Sequence, residues 1–324
     1  MTTDTRVKIL EYIKIHNHVR VPDLVRELQI TRASVHRQLN KLRDEGKLEK
    51  IGKPPKVYYS LASKKIDYLH LADKAILKTI NARYLYISPT GEEKRGWDGF
   101  LAWCEKTKQD PIKTANEYIS TIKKFDKYKE GNLIDGMVKM KKTFKDVFLD
   151  KLYYLDFYSI ERFGKTKLGQ LLLYAKQSQS LVLMNQLNEQ IRPEILRVIK
   201  EKRIDGILFM PPTVKREIQF MKELERQLAL PMQTLSVTKI KTDIIVPQKT
   251  LSKLDDRVEN AKKTIIVEDK KKYKNVLIID DAVGSGATMN ETARQIKDNS
   301  LVSGKIIGLA ITGSFKGFDV ISEV

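Results

Sequence analysis

Apolar residues recur with helical spacing through the first 46 residues, and this pattern predicts three short helices. Their apolar faces are formed by Ile9, Leu10 and Ile13 in the first helix, Leu24, Val25 and Leu28 in the second, and Val35, Leu39 and Leu42 in the third. Pro22 suits the first turn of the second helix, Thr31 can cap the third, and Gly46 can end it. The sequence KLEKIGKPPKVYYSLA at 47–62 predicts a hairpin, because alternating apolar residues follow a turn at 52–55.

Three helices followed by a hairpin with a basic tip resemble a winged helix-turn-helix, to which we assign residues 1–63. The resemblance implies double-stranded DNA as a partner, with the third helix in the major groove and the hairpin against phosphates. The candidate DNA contacts are Arg32, Ser34, His36, Arg37 and Lys41 on the third helix, and Lys53 and Lys56 on the hairpin. A protein-binding winged helix or a plain three-helix bundle is the alternative. Residues 4–62 carry 13 Lys and Arg against 7 Asp and Glu, which favours DNA.

Residues 64–150 have a less regular pattern, in which helical stretches alternate with lysine-rich ones. Trp97, Phe100, Leu101 and Cys104 fall at helical spacing and predict an apolar stripe packed on a neighbouring element. A ligand or dimer contact is the alternative for this stripe. We interpret residues 64–150 as a helical connector that also joins the two subunits of a homodimer.

From residue 206 onward, short apolar runs alternate with amphipathic stretches. Strands are predicted at 206–210, 243–246, 264–267, 276–280 and 305–312, and helices at 214–229 and 288–298. This order predicts a parallel α/β sheet, to which we assign residues 151–324. Ligands of such sheets bind beyond the carboxyl ends of the strands.

The sequence VLIIDDAVGSGAT at 276–288 combines a buried strand, two adjacent carboxylates and a loop of small residues. Such a loop lets backbone N–H groups converge on a phosphate at the start of the next helix, with hydroxyls from Ser285 and Thr288. Asp280 and Asp281 suit the vicinal hydroxyls of a sugar, or a Mg²⁺ ion shared with a pyrophosphate. A ribose 5-phosphate that carries a pyrophosphate satisfies both halves of the motif.

Three known classes of acidic or glycine-rich motif fit the sequence less well. A Walker loop ends in Gly-Lys-Ser/Thr, and a dinucleotide-binding loop has its acidic residue about 20 positions after the glycines. A receiver domain ends a strand with paired acids but has no glycine loop directly afterwards. A glycine-rich turn with a capping Asp remains the purely structural alternative.

The composition agrees with a protein that binds polyanions. The formal net charge is +19, and 41% of the residues are apolar. Cys104 is the only cysteine and the four histidines lie within the first 70 residues, so we expect no disulfide and no structural zinc. The polar start MTTDTRVK and the lack of a long apolar run predict a cytoplasmic protein with no membrane partner.

The motif VLIIDDAVGSGAT resembles the phosphoribosyl-diphosphate (PRPP) signature of type I phosphoribosyltransferases, and the surrounding chain is similar to their ComF-type branch. Further matches are Tyr158 with ERFGKTKLGQLLLYAK, which ends in Lys176, then ILFMPPTVKR, and QKTLSKLDDRVEN with its spaced Gln248, Leu251, Arg257 and Asn260. Together the matches cover about residues 155–324, half of the chain.

The resemblance implies a role for each matched residue. Asp280 and Asp281 would hold the ribose hydroxyls and, through PRPP, Mg²⁺. The 5-phosphate would bind to Gly284, Ser285, Gly286, Ala287 and Thr288. The pyrophosphate side would be formed by Pro211, Pro212 and Thr213, with Lys215 or Arg216 nearby. Residues 241–260 would be a mobile flap, with Arg257 as its cation.

Two departures from the family bear on function. Gly284 stands where purine-salvage members carry a general base, and a winged helix replaces the cysteine ribbon of many ComF-type proteins. The domain order is similar to that of purine-operon repressors, which implies a transcriptional regulator that senses PRPP or a related phosphosugar. The alternatives are an active phosphoribosyltransferase of nucleotide metabolism with an auxiliary winged helix, and a ComF-type accessory protein of DNA uptake. No catalytic residue is assigned.

Overall fold

The computed structural model describes residues 2–62, 72–212, 214, 216–240, 246 and 250–314. By their internal contacts the residues fall into two units, Met1–His70 and Leu71–Val324. Over the described ranges, no helix combines the length and the apolar composition that a membrane crossing requires.

The first unit contains three helices and a hairpin, as the sequence predicts. Its elements are α1 (Thr2–His16), α2 (Val21–Leu28), α3 (Arg32–Asp44), β1 (Leu48–Lys53) and β2 (Lys56–Leu61). Thr31 caps α3 by accepting a hydrogen bond from the Ser34 amide at 3.3 Å. The apolar faces meet in one core, in which Ile9, Ile13, Leu24, Val35, Leu39 and Leu42 are fully buried.

The hairpin differs from its prediction in two details. Lys53 pairs with Lys56, so the turn consists of Pro54 and Pro55 and is shorter than the predicted 52–55. Leu61 is one of the alternating apolar residues that follow the turn, but it is 41% exposed because it lies at the end of β2.

The second unit begins with helices and short strands that precede the main sheet. They are α4 (Lys74–Arg83), β3 (Leu85–Ile87), β4 (Glu93–Arg95), α5 (Gly96–Thr107), α6 (Pro111–Asp126), β5 (Lys129–Glu130), β6 (Leu133–Asp135) and α7 (Met137–Thr143). Trp97, Phe100 and Cys104 are buried in α5, whereas Leu101 is half-buried. The centroid of the Phe100 ring lies 5.1 Å from that of Tyr84. The apolar stripe is therefore core packing, as the default interpretation predicts.

The remainder of the second unit alternates strands with helices. The elements are β7 (Lys151–Phe157), a 3₁₀ turn (Glu161–Phe163), α8 (Lys167–Ser178), α9 (Leu181–Lys202), β8 (Gly206–Phe209), α10 (Phe220–Leu228), β9 (Gln233–Thr234), β10 (Val237–Lys239), α11 (Leu254–Thr264), β11 (Ile265–Val267), β12 (Val276–Val283), α12 (Ala287–Asp298) and β13 (Ile306–Gly313).

A sheet of seven described strands organises the second unit in the order β5-β6-β7-β13-β12-β8-β9. The five strands from β7 to β9 are parallel, whereas β5 and β6 run antiparallel to their neighbours. Helices α8, α9 and α10 pack on one face of the sheet through a large apolar core. The parallel α/β prediction is confirmed for the C-terminal half, and the whole sheet is mixed.

Residues 72–150 differ from a purely helical connector. β6 hydrogen bonds to β7 through the pairs Ile134 with Tyr154 and Asp135 with Tyr153, so this segment belongs to the same unit as the parallel strands. Strands of two and three residues are too short to show an alternating pattern, which is why the sequence did not predict them.

Two other predicted elements also differ from the structure. The helix predicted from 214 begins at Phe220, after a loop in which the Ile218 amide donates to Gln179 Oε1 at 2.7 Å. The strand at 265–267 forms, but it pairs antiparallel with β10 outside the main sheet. The predicted strand 243–246 lies almost entirely outside the described residues and stays a prediction.

Candidate functional site

The order in which the chain enters the main sheet reverses between β8 and β12. From β8 the chain moves outward to β9, then returns to β12 on the other side of β8 and continues to β13. Such a reversal leaves a crevice beyond the carboxyl ends of the two central strands, where open α/β sheets bind their ligands. The carboxyl end of β8 leads into Pro211 and Pro212, and that of β12 contains Asp280 and Asp281.

The two carboxylates at the end of β12 are held by different partners. The Asp281 amide donates to Oδ1 of Asp280 at 2.8 Å. The Lys176 ammonium, in the last turn of α8, lies 2.5 Å from Asp281 Oδ2. The side chains of this ion pair are only 14% and 18% exposed, so the pair is largely shielded from water.

The pKa of Asp280 is higher than that of an ordinary aspartate. Burial and the neighbouring Asp281 carboxylate raise the pKa of Asp280 to about 8, against the attraction of Lys176 and Lys239. Burial also lowers the pKa of Lys239, while Asp280 acts in the opposite direction. The site therefore contains a carboxyl group that holds its proton more tightly than an exposed Asp does, and a further cation would favour its charged form.

The loop between β12 and α12 is a tight turn that leads into a helix N-terminus. Gly286 occupies the N-cap position of α12 with a φ of +85°, which favours glycine, and the Ser285 hydroxyl accepts a hydrogen bond from the Ala287 amide at 3.3 Å. A Cβ atom on Gly286 would lie 2.5 Å from Met140 Sδ of α7. Strand, tight loop and helix N-terminus thus follow one another as the sequence predicts.

The other candidate residues of the second unit differ in burial and in hydrogen-bond partners. Pro211 and Pro212 are half-buried after β8, and the Arg216 guanidinium donates to the carbonyl oxygen of Lys176, the partner of Asp281. Arg257 is 5% exposed in α11, donates from Nε to the carbonyl of Leu251 at 2.7 Å, and has a pKa lowered by burial. Thr213, Lys215 and residues 241–245 and 247–249 of the predicted flap lie outside the described residues.

Two lysines at the site were not among the predicted ligand contacts. Lys176 ends the stretch ERFGKTKLGQLLLYAK, so the family resemblance already marked its position but not its partner. Lys239 ends a three-residue strand and carries no signal in the sequence. In the part of the chain that the structure describes, no group of three or more His, Cys, Asp or Glu side chains could hold a metal ion.

A cavity of about 210 Å³ opens beside the N-terminal end of α8, where Lys167 lies. Arg83 donates to both carboxylate oxygens of Asp126 across it, at 2.8 and 2.7 Å, and Lys129 Nζ lies 3.3 Å from Asp156 Oδ1. Burial raises the pKa of Asp156. Most of the charged side chains that line this cavity therefore form ion pairs with one another.

In the first unit, all of the predicted DNA contacts except Ser34 are exposed to solvent. Arg32, His36, Arg37 and Lys41 are exposed on α3, and Lys53 and Lys56 are exposed at the tip of the hairpin. Ser34 is half-buried. The first helical turn of α3 and the hairpin tip are the parts that a winged helix presents to the major groove and to phosphates.

Comparison with known protein families supports a helix-turn-helix in the first unit. Residues 3–50 match a helix-turn-helix family model described as bacterial regulatory protein, arsR family. The N-terminal unit is a winged helix. The match indicates a DNA-binding transcriptional regulator, and it covers the winged helix but not the second unit. No curated protein matches the chain.

Proposed function

We propose that the protein is a DNA-binding transcriptional regulator whose second unit binds PRPP, or a related phosphosugar, as its effector. The observation that carries the proposal is the position of Asp280, Asp281 and the Gly286 loop at the carboxyl end of β12, beside the reversal of strand order. The match of residues 3–50 supports the regulatory part.

The carboxylates suit the sugar of such a ligand. Vicinal ribose hydroxyls donate hydrogen bonds, and Asp280 and Asp281 offer adjacent acceptors at the end of one strand. A hydroxyl that donates to ionised Asp280 would stabilise its charged form, which burial disfavours. Hydrogen bonds from a sugar to an ionised carboxylate are stronger than those to a neutral acceptor.

The loop suits the 5-phosphate. The N-terminus of α12 provides backbone N–H groups, and the side chains of Ser285 and Thr288 are close to it in sequence. Gly286 admits the backbone conformation and the close approach that such a loop needs. Across the reversal, Pro211 and Pro212 after β8, with Arg216 beyond them, would face the pyrophosphate.

The residues of the site fit a magnesium ion that arrives with the pyrophosphate. Mg²⁺ keeps several waters and binds through one or two carboxylates together with phosphate oxygens, and Asp280 and Asp281 would supply the carboxylates. The raised pKa of Asp280 means that a cation nearby would favour its ionised form. When bound, the ion would neutralise charge on the pyrophosphate.

An active phosphoribosyltransferase is the second candidate function. The pKa of Asp280, about 8, favours it because a carboxyl group with that value can exchange a proton near neutral pH. Pyrophosphate release from PRPP in the presence of a panel of nucleobases distinguishes the two functions, since an effector is not consumed.

Thermal unfolding of the full chain tests the ligand. Saturation by Mg·PRPP stabilises a folded protein by about 2.7 kcal/mol at a hundredfold excess over Kd, so the unfolding temperature should rise with concentration. The rise should be lost in Asp281→Asn and kept in Asp98→Asn, which changes an exposed carboxylate on α5.

Each variant is compared with itself with and without ligand, so a change in basal stability does not affect the result. No rise in the unaltered protein, or an equal rise in Asp281→Asn, would overturn the proposed site. Ribose 5-phosphate in place of PRPP shows whether the pyrophosphate contributes.

A further inference from the structure

Exposed lysine and arginine side chains collect at the edge of the main sheet opposite the candidate ligand site. Residues 200–205 precede β8, residues 268–274 precede β12, and Lys305 precedes β13. These three strands are neighbours in the sheet and parallel, so their amino ends lie side by side about 4.8 Å apart.

Asn275 joins the three segments into one surface. Its Nδ2 donates to the carbonyl oxygens of Lys202 and Arg203, both at 3.1 Å, and its Oδ1 accepts from the Lys305 amide at 2.9 Å. The carboxylate of Asp205 accepts from the amides of Lys274 and Asn275 at 2.8 Å. Segments that lie far apart in the sequence are thereby fixed at one place.

Seven exposed cations form what we call the amino-edge patch. They are Lys200, Arg203, Lys270, Lys271, Lys272, Lys274 and Lys305. The ion pairs among the described residues include none of the seven. By contrast Arg197, one helical turn before Lys200, pairs with Glu194 at 2.8 Å and with Glu201 at 3.1 Å.

Nearby carboxylates offset only part of the positive charge of the amino-edge patch. Asp205 and Asp269 are directed at backbone amides, and Glu268 accepts from the Thr238 hydroxyl at 2.9 Å. Over residues 200–205, 268–274 and 305 there are eight Lys and Arg against four Asp and Glu. These segments therefore retain a local excess of four positive charges, eight minus four.

We propose that the amino-edge patch binds phosphates of double-stranded DNA, as a second DNA-binding surface besides the winged helix. Duplex DNA carries one negative charge per about 1.7 Å of its axis, and lysine side chains that neutralise phosphates release condensed counterions. A patch without base-reading geometry adds affinity that is independent of sequence. Its effect should appear in the salt dependence of binding and not in sequence preference.

The test compares two variants of the full chain that lose the same charge. In the patch variant Lys270, Lys271, Lys272 and Lys274 are replaced by Gln. In the control variant Lys106, Lys108, Lys113 and Lys123, which are exposed on or beside α5 and α6, are replaced by Gln. Binding to a long duplex of arbitrary sequence is measured over a range of potassium chloride concentrations, without PRPP.

Each lost phosphate contact reduces the magnitude of the slope of log K against log salt by about 0.9. The magnitude should therefore fall by about 2–4 in the patch variant, while the control variant keeps the slope of the unaltered protein. Equal slopes in all three proteins, or equal losses in both variants, would overturn the proposal. A loss confined to duplex RNA of the same length would also overturn it. The result is independent of PRPP, so the two proposals can fail separately.

Discussion

The ammonium of Lys176 lies 2.5 Å from a carboxylate oxygen of Asp281, although 105 residues separate the two in the chain. The contact ties the end of α8 to the end of β12 and places a positive charge beside two adjacent carboxylates. Because both side chains are largely buried, loss of either partner leaves a charge that water solvates poorly.

Lys176→Met should therefore lower the free energy of unfolding by about 1–3 kcal/mol, between the values for exposed and for buried ion pairs. Lys263→Met is the matched control, because Lys263 lies 2.6 Å from Glu259 but both side chains are more than 60% exposed. That control should cost much less, because water screens an exposed pair. Denaturant titrations measure both values, and equal losses would contradict the importance of burial.

The raised pKa of Asp280 predicts a dependence of stability on pH. The folded protein holds this proton more tightly than the unfolded chain, whose value is near 3.8, so the associated stability is complete below about pH 4 and is lost as the pH rises through about 8. Asp280→Asn cannot ionise, so between pH 5 and 7 it should gain stability relative to the unaltered protein by up to about 1.4 kcal/mol per pH unit.

Unfolding free energies of both proteins across this pH range check the prediction. Asp98→Asn, at an exposed position on α5, is the control for the loss of one carboxylate. Parallel curves for Asp280→Asn and the unaltered protein would show that Asp280 does not take up a proton on folding.

Gly286→Ala should be destabilising for two separable reasons. The φ of +85° costs an L-residue about 1–2 kcal/mol, and the new methyl group would meet Met140 Sδ at 2.5 Å, which adds about 1–3 kcal/mol. Gly91→Ala isolates the first cost, because Gly91 has a φ of +82° and no atom within 4 Å of the added Cβ. A similar loss in both variants, measured by chemical denaturation, would mean that α7 yields to the methyl group.

Two substitutions in the winged helix should affect DNA binding in different ways. Arg37→Ala removes an exposed side chain of α3 and should cost about 1–3 kcal/mol on the preferred sequence while relaxing that preference. Lys56→Ala should weaken binding to all sequences alike and lower the salt slope by about 1. Binding to a selected operator and to its scrambled version measures both effects. If Arg37→Ala leaves the preference unchanged, α3 does not read bases.

Effector binding should change operator affinity if the second unit is a sensor. PRPP must then bind the DNA-competent and DNA-incompetent states with different affinity, and a typical coupling of about 1–3 kcal/mol corresponds to roughly 5–150-fold. DNA should change PRPP affinity by the same factor, and Asp281→Asn should lose the shift but keep ligand-free DNA binding. An unchanged operator Kd at saturating PRPP, together with base-dependent pyrophosphate release, would leave the transferase function.

The winged helix was predictable because its signals are local. A buried residue recurs every third or fourth position on each helix, and Thr31 and Gly46 mark the ends of α3. The strand, loop and helix from Val276 to Asp298 were predictable for the same reason, since a run of apolar residues and a glycine loop lie within one continuous stretch.

Contacts between distant segments were beyond sequence reasoning. The partner of Asp281 is set by how α8 packs on the sheet, and Met140 reaches Gly286 only because α7 follows a strand that pairs with β7. Ligand binding at the site and the homodimer stay predictions. The first depends on a bound phosphosugar and the second on another copy of the chain.

The pairing of β6 with β7 also decides where the second unit can be divided. A fragment that starts at residue 151 would lack β5 and β6, so β7 would become an edge strand with a free row of backbone amide and carbonyl groups. Tyr153, Tyr154 and Leu155, all buried in the intact protein, belong to that strand. Exposed apolar edges of this kind pair with other chains, so the isolated C-terminal half would tend to aggregate.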